Sequence, residues 1–347
     1  MLTQLGYAAG ILLLAPLGDR FDRRRIVLIK ATILLVALVA AAFSPTLATM
    51  LAASFAIGLS ATLAQDAVSS AASLAAESNR GKVVGTVMSG LLLGILLSRV
   101  ISGAVAELFG WRTTYFGAAF AIALCLGMAW RFLPSVPATT GLAYSSLLKS
   151  IGSLWRGHAL LRRAALAQGL VSVGFSAFWS TLAMMLAEEP FHLGSSVAGA
   201  FGLAGAAGAL VAPVAGRIAD RHGPGIVTRL GTALTALSFG AMVLASFLTA
   251  RFQLYVIAAC VIGFDLGVQA TLIAHQTIIY GIDPAARSRL NAALFTVMFL
   301  GMAVGAGLGT YLFEKWGWMG VVFLAFASSS AAFLVRLGTK SPEPVDS

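Results

Sequence analysis

The chain has 347 residues, of which 59% are hydrophobic and only 10% charged, with a formal net charge of +10. A soluble domain carries about 25% charged residues, so this composition excludes a water-soluble globular fold and makes the bilayer the solvent. The basic residues lie in short clusters between apolar runs instead of along one face, which excludes a nucleic-acid surface and matches the loops of a membrane protein.

In chain order, the opening "MLTQLGYAAGILLLAPLGDR" lacks a basic n-region and a small-residue cleavage site, so it reads as a membrane helix over 1–17 and not as a signal peptide. Six ionisable side chains follow within 19–25: Asp19, Arg20, Asp22, Arg23, Arg24 and Arg25. Apolar runs long enough to span then predict helices near 26–43, 47–75, 83–106 and 113–133. A polar stretch over 134–163, holding Pro134, Pro137, Lys149, Arg156, Arg162 and Arg163, reads as a connector. Beyond it, helices are predicted near 164–187, 194–216, 226–248, 252–281, 290–313 and 317–337, followed by a short polar tail. The fold class expected is an all-α polytopic membrane protein with two pseudo-symmetric helix bundles of five and six spans. Their bounds are 1–133 and 164–347. Cys125 and Cys260 lie inside apolar runs without metal-like spacing and imply no disulfide framework.

Alternating loops distribute the positive charge unevenly. Of the 23 Lys and Arg residues, 19 fall on one side, including Lys30, Arg217, Arg221 and the connector set, against Arg112, Arg251 and Lys315 on the other. The positive-inside rule places the charged turn at 19–25, the connector and the C-terminus in the cytoplasm, and the N-terminus outside.

The second half repeats the first. The stretch from "ESNRGKVVG" to "LFGWR" (77–112) aligns without gaps to the stretch from "PAARSRLNA" to "KWGWM", so that Arg80 falls on Arg287, Gly110 on Gly317 and Trp111 on Trp318. Gly94, Ser98 and Ser102 fall on Gly301, Gly305 and Gly309, each set at the four-residue spacing of close helix packing. Two such halves joined by a cytoplasmic connector suit a secondary transporter.

The turn "LAPLGDRFDRRRIVL" and its later copy "VAPVAGRIADRHGPGIV" resemble the signature loop of the major facilitator superfamily, which reads roughly G-x-x-x-D-R-x-G-R-R between its second and third helices. Asp19 and Arg20 match D-R, and Arg23 and Arg24 match the basic pair. Ala15 and Asp22 stand where the two glycines would be. The second copy keeps Gly216, Asp220, Arg221 and Gly223. The wording from "GKVVGTVMSG" to "GWR" is similar to bacterial efflux members of the arabinose-efflux-permease type. The resemblance covers the chain and implies that Asp19, Arg20, Arg23, Arg24, Asp220 and Arg221 form gating loops that lock the halves in one access state. The sequence departs from the family at Ser54, four residues before Gly58, where an Arg is usual, and at Ser98-Arg99, where the antiporter signature has Gly-Pro. The first copy of the loop follows one predicted helix and the second follows two. One cavity-lining helix of the family therefore has no counterpart here, and an upstream segment or shifted start is expected to supply it.

Asp66, Arg99 and Asp265 fall inside apolar helices, at about 2.5–3.5 kcal/mol each on insertion scales. Counting from the loop at 77 puts Asp66 near the midplane, on one face with Thr62, Ser69 and Ser73 and next to Gln65. Asp265, Gln269 and Gln276 share a second face, and Gln168, Ser172, Phe175 and Trp179 a third. Together with Arg99 these residues are expected to build a polar, aromatic-edged cavity for substrate and proton. The alternative is interhelical hydrogen bonding alone, and His275, on another face from Asp265, reads as structural. Arg99 either snorkels to the interface or reaches Asp66. No metal cluster, nucleotide loop or catalytic triad is visible, so no cofactor and no enzyme activity are expected. The expectation is a monomeric inner-membrane transporter that exports a small organic solute or drug in exchange for protons. An importer or uniporter, and a transport-dead membrane sensor or assembly protein, stand as alternatives.

Overall fold

A computed structural model describes residues 1–76, 79–137, 143–205, 217–219, 221–283 and 286–338. Among these residues every regular element is helical. The helices are α1 (Leu2–Ala9, continued by a π-wound turn Gly10–Leu14), α2 (Leu17–Arg20), α3 (Arg23–Ala42), α4 (Leu47–Ala61), α5 (Leu63–Leu74), α6 (Arg80–Phe109) and α7 (Trp111–Phe132). They continue as α8 (Tyr144–Gly157), α9 (Ala159–Ala187), α10 (Ser195–Gly205), α11 (Pro224–Ala245), α12 (Ala250–Tyr280) and α13 (Arg287–Leu337). Among the described residues, eight segments are long and apolar enough to cross a membrane. Hydrocarbon solvent explains the helices: it offers backbone groups no partner, so each crossing must bond to itself.

Two elements differ from the sequence expectation. The predicted helix 47–75 loosens at Thr62, which ends α4 and begins α5, within a single apolar crossing, Leu47–Ala71. The connector contains an amphipathic helix, α8, which the low density of apolar residues hid; it buries Leu147 and Ile151. The predicted helices 290–313 and 317–337 are both present within α13, which is two helices meeting at a kink at Gly317, where φ is 62°. Gly110 holds φ 83° at the repeat-equivalent junction of α6 and α7. The predicted helix 194–216 is described only over Ser195–Gly205, and the remainder lies outside the described residues.

The chain divides into two compact units, Leu2–Ser153 and Leu154–Ser347. In the first, α1 packs closely on α4, and α3 packs on α7 through Leu34, Leu38 and Ala119. Phe43 meets Phe116 edge-on at 5.0 Å. In the second, the core gathers Phe178, Leu182, Leu186, Phe239, Met242, Ile257, Phe264 and Val321.

The main seam of the second unit lies between α9 and α13. Gly301 and Gly305 sit so near the carbonyls of Gly169 and Val173 that an added Cβ would collide with them, and at Gly309 it would come within 2.8 Å of the Ala177 Cα. The same stripe in the first unit is open: a Cβ at Gly94 of α6 would meet nothing within 4 Å. Around it α6 exposes Leu93, Ile95, Leu97 and Ile101.

Candidate functional site

In the first unit the buried charge is a pair. Lys30 Nζ donates to Asp66 Oδ2 at 2.6 Å, with the two side chains 4% and 9% exposed. Lys30 lies in the second turn of α3 and Asp66 in the first turn of α5. The Lys30 stem crosses apolar surface and its ammonium finds an acid in place of water. Asp66 also lies near the charged turn, since an added Cβ at Gly18 would stand 3.5 Å from Asp66 Oδ1. Arg23 Nε in turn donates to the Gly18 carbonyl at 3.0 Å. These contacts place Asp66 beside the turn, about 12 Å from the end of α5. The Tyr7 hydroxyl hydrogen-bonds Gln65 and lies within electrostatic reach of Asp66. Serine hydroxyls tighten the same helix: Ser69 donates to the Gln65 carbonyl at 2.9 Å and Ser70 to that of Asp66 at 2.7 Å.

The turn itself is clasped from the side. Asp22 caps α3 by accepting from the Arg24 amide at 2.9 Å, and also accepts from Ser135 Oγ at 2.7 Å and the Val136 amide at 3.1 Å. Hydrogen bonding from Ser135 foremost, then from the Val136 and Arg24 amides, holds the Asp22 carboxyl below the usual carboxylate range, although partial burial opposes this.

In the second unit, Gln168 on α9 and His275 on α12 are both fully buried, and Gln168 Oε1 lies 3.0 Å from His275 Nδ1. With the amide oxygen assigned there, Nδ1 carries the hydrogen. Gln168 Nε2 and His275 Nε2 have no hydrogen-bond partner among the described residues. Arg336 near the end of α13 is buried, donates from Nε to Thr228 Oγ1 at 3.0 Å, and lies within electrostatic reach of His275, Arg229 and Arg163. Gln276 Nε2 and the Tyr280 hydroxyl each donate to Asn291 Oδ1 at 3.0 Å. Asp265 is 5% exposed and follows Phe264, whose ring meets Phe175 at 6.1 Å and Trp179 at 6.3 Å.

The Major Facilitator Superfamily model matches residues 1–279 and 164–347, which together cover the whole chain. The chain belongs to the major facilitator superfamily. The protein is therefore a multi-pass membrane transporter. It is 42% identical over 322 residues to an Escherichia coli O157:H7 protein described as an uncharacterized transporter, YgaY, covering 92% of this chain and 80% of that one. It is 34% identical over 339 residues to a Streptomyces coelicolor protein described as a probable transporter, SCO4007, covering 94% and 74%. Among solved structures, the Escherichia coli xylose transporter XylE in a partially occluded inward-open conformation superposes with a TM-score of 0.75 at 14% identity. That match covers 100% of this chain and 87% of XylE, and shows the superfamily fold.

Of the superfamily loop residues, Arg20 stacks over Phe21 at 5.5 Å, and Arg24 donates to the Trp130 carbonyl at 2.7 Å. Arg221 borders a surface groove with Arg217, Ile218 and His222. Asp220 and the side chain of Asp19 lie outside the described residues. Within the first unit Gln65 and Asp66 come together. Within the second, the Gln168 carbonyl group is taken up by His275, Gln276 joins Asn291, and Gln269 is half-buried on α12. Trp179 belongs to the aromatic cluster around Phe264. Arg99 is half-buried on α6. Sequence reasoning missed Lys30, counted as a loop charge although four apolar residues separate it from the arginines, and it missed Asp22 as a hydrogen-bonding centre and Gln168 as the partner of His275.

Proposed function

We propose that this transporter exports a small organic solute in exchange for protons, with Asp265 as the coupling carboxylate. The observation that carries the reading is the place of Asp265, 5% exposed on the helix that carries Phe264 into the Phe175–Trp179 aromatic cluster. A carboxylate within an apolar helix is costly unless it has a role, which suits a group that loads and releases a proton. The Phe175–Trp179 cluster around Phe264 suits an apolar or cationic organic solute. The cluster of positive residues at the turn, the connector and the end of α13 supports an orientation with these in the cytoplasm of a bacterial inner membrane. The protein works as a monomer in this reading.

The test is a set of proteoliposomes holding the full chain and a pH-sensitive dye, challenged with a panel of lipophilic cations and neutral drugs. An active solute should move protons in the wild type. Asp265→Asn should abolish solute-driven proton movement while solute counterflow persists. Equal proton movement in the variant overturns the assignment of Asp265, and solute flux that ignores the proton gradient favours the uniporter.

A further inference from the structure

We propose that Asp22 is a positioning residue that fastens the charged turn of the first unit to the head of the connector, so that the two move as one piece. The assignment rests on the transporter family and the turn's geometry, and is independent of proton coupling or the direction of transport.

Asp22 stands where the resembling signature has glycine, so its carboxylate is a feature of this chain's own sequence. A residue that only capped α3 would need one acceptor, for the Arg24 amide. Asp22 uses both oxygens: Oδ1 takes the Arg24 and Val136 amides, and Oδ2 takes the Ser135 hydroxyl. The backbone answers in the other direction, since the Arg23 amide donates to the Val136 carbonyl at 3.1 Å. Arg24 adds a bond to the Trp130 carbonyl near the end of α7. On the far side of the unit's connector segment, the Tyr144 hydroxyl donates to the Leu13 carbonyl at 2.8 Å, just before the turn. Val136 is 4% exposed, so the attachment has an apolar seat as well as polar bonds.

These bonds join segments 113 and 114 residues apart in sequence. They tie the piece of chain that carries Asp19 and Arg20 to the piece that leads into the link between the two units. A displacement of the connector head therefore pulls on the turn through Asp22. Hydrogen bonds to an ionised acceptor are the strong kind, and three on one carboxylate define a position where a single neutral bond would leave a hinge. Around it the charged side chains are Arg23, Arg24 and Arg25 on α3, and Arg131, which stacks over Phe132 at 5.3 Å. The Arg25 charge further favours the ionised form.

The test uses the full chain in nanodiscs with Cys125→Ser, because Cys125 is exposed and Cys260 buried. Spin labels at Ile29→Cys on α3 and Pro137→Cys beside the clasp report one distance by pulsed electron resonance. The wild-type background should give a narrow distribution at neutral pH. Asp22→Ser still caps α3 but cannot reach Ser135 and Val136; it should broaden the distribution and raise the loose-to-tight population ratio about tenfold, the worth of one charge-assisted bond. Ser135→Ala, altered from the connector side, should broaden it partly, and Ser135→Thr, which keeps the hydroxyl, should restore the narrow form. The carboxylate is held below its usual range. The narrow form should therefore persist as pH falls to about 4 and loosen below that, with Asp22→Asn insensitive to pH. A distribution in Asp22→Ser and Ser135→Ala as narrow as in the wild type overturns the proposal, as does a broad wild-type distribution at neutral pH. If Asp22→Ser fails to fold, the Ser135→Ala and Ser135→Thr pair decides alone.

Discussion

Lys30 and Asp66 form a buried ion pair, 2.6 Å from Nζ to Oδ2, that joins α3 to α5 inside the first helical unit. Removing one member leaves the other charged and dry, at a cost of about 3–5 kcal/mol, whereas replacing both with apolar groups of similar size is often close to neutral. Lys30→Met and Asp66→Leu should each lower the detergent-solubilised yield and the melting temperature sharply. The double variant should recover most of the loss. Melting followed by size-exclusion chromatography checks this, and additive single-variant losses would show that the two charges act independently.

The same pair shows where sequence reading reaches and where it stops. The GW junctions were legible, because Gly110 and Gly317 align and both hold the positive φ that glycine permits. So were the crossings over α3 to α7, α9 and α11 to α13, whose apolar length fixes them, whereas Leu2–Leu14 and Ser195–Ala204 are apolar but shorter than a span among the described residues. The partner of Asp66 was not, because counting Lys and Arg by loop assigns a side of the membrane and ignores depth. Lys30 follows the arginine cluster closely enough to be counted with it, yet it belongs to the second turn of α3. Gln168 and His275 failed for another reason: a helical face is read relative to its own axis, and only packing brings two faces from residues 107 apart together.

The Gln168–His275 contact predicts an asymmetric response to substitution. Gln168→Leu removes the partner of His275 Nδ1 and so leaves neither ring nitrogen hydrogen-bonded among the described residues, in a site closed to solvent. A buried unsatisfied group costs about 1–3 kcal/mol, so the melting temperature should fall. His275→Phe in the Gln168→Leu background removes the orphan and should regain stability relative to the single variant. A double variant less stable than Gln168→Leu would show that the ring has another indispensable contact.

Gly110 and Gly317 should respond alike. Each opens a helix at φ 83° and φ 62°, with open space where a Cβ would stand, so an alanine there suffers backbone strain without collision. With ψ 156° and −157°, both sit in the positive-φ extended region that is essentially reserved for glycine, where another residue costs about 1–3 kcal/mol. Gly110→Ala and Gly317→Ala should produce similar modest decreases in melting temperature, and a severe loss at either position would point to crowding instead of torsional strain.

The two small-residue stripes should respond differently, although the internal repeat makes them equivalent in sequence. Gly305 lies against the Val173 carbonyl at the α9–α13 seam, where backbone meets backbone and neither can retreat without separating the helices. Gly305→Val must push α9 away along the whole register set by Gly301, Gly305 and Gly309, and overpacking of this kind costs about 1–3 kcal/mol or more. Gly94, the repeat counterpart of Gly301 on the same stripe, has open space around it within the first unit. There Gly94→Val adds a side chain that meets nothing and replaces the poorest helix former after proline, so propensity favours it by a few tenths of a kcal/mol or so. Expression and melting of the paired variants should separate cleanly, with Gly305→Val impaired and Gly94→Val at wild-type level. Equal impairment would mean that the α6 face is covered in the membrane by a helix seated as α9 is seated on α13, and a second substitution at Ser98, one turn along the same stripe, should then be impaired as well.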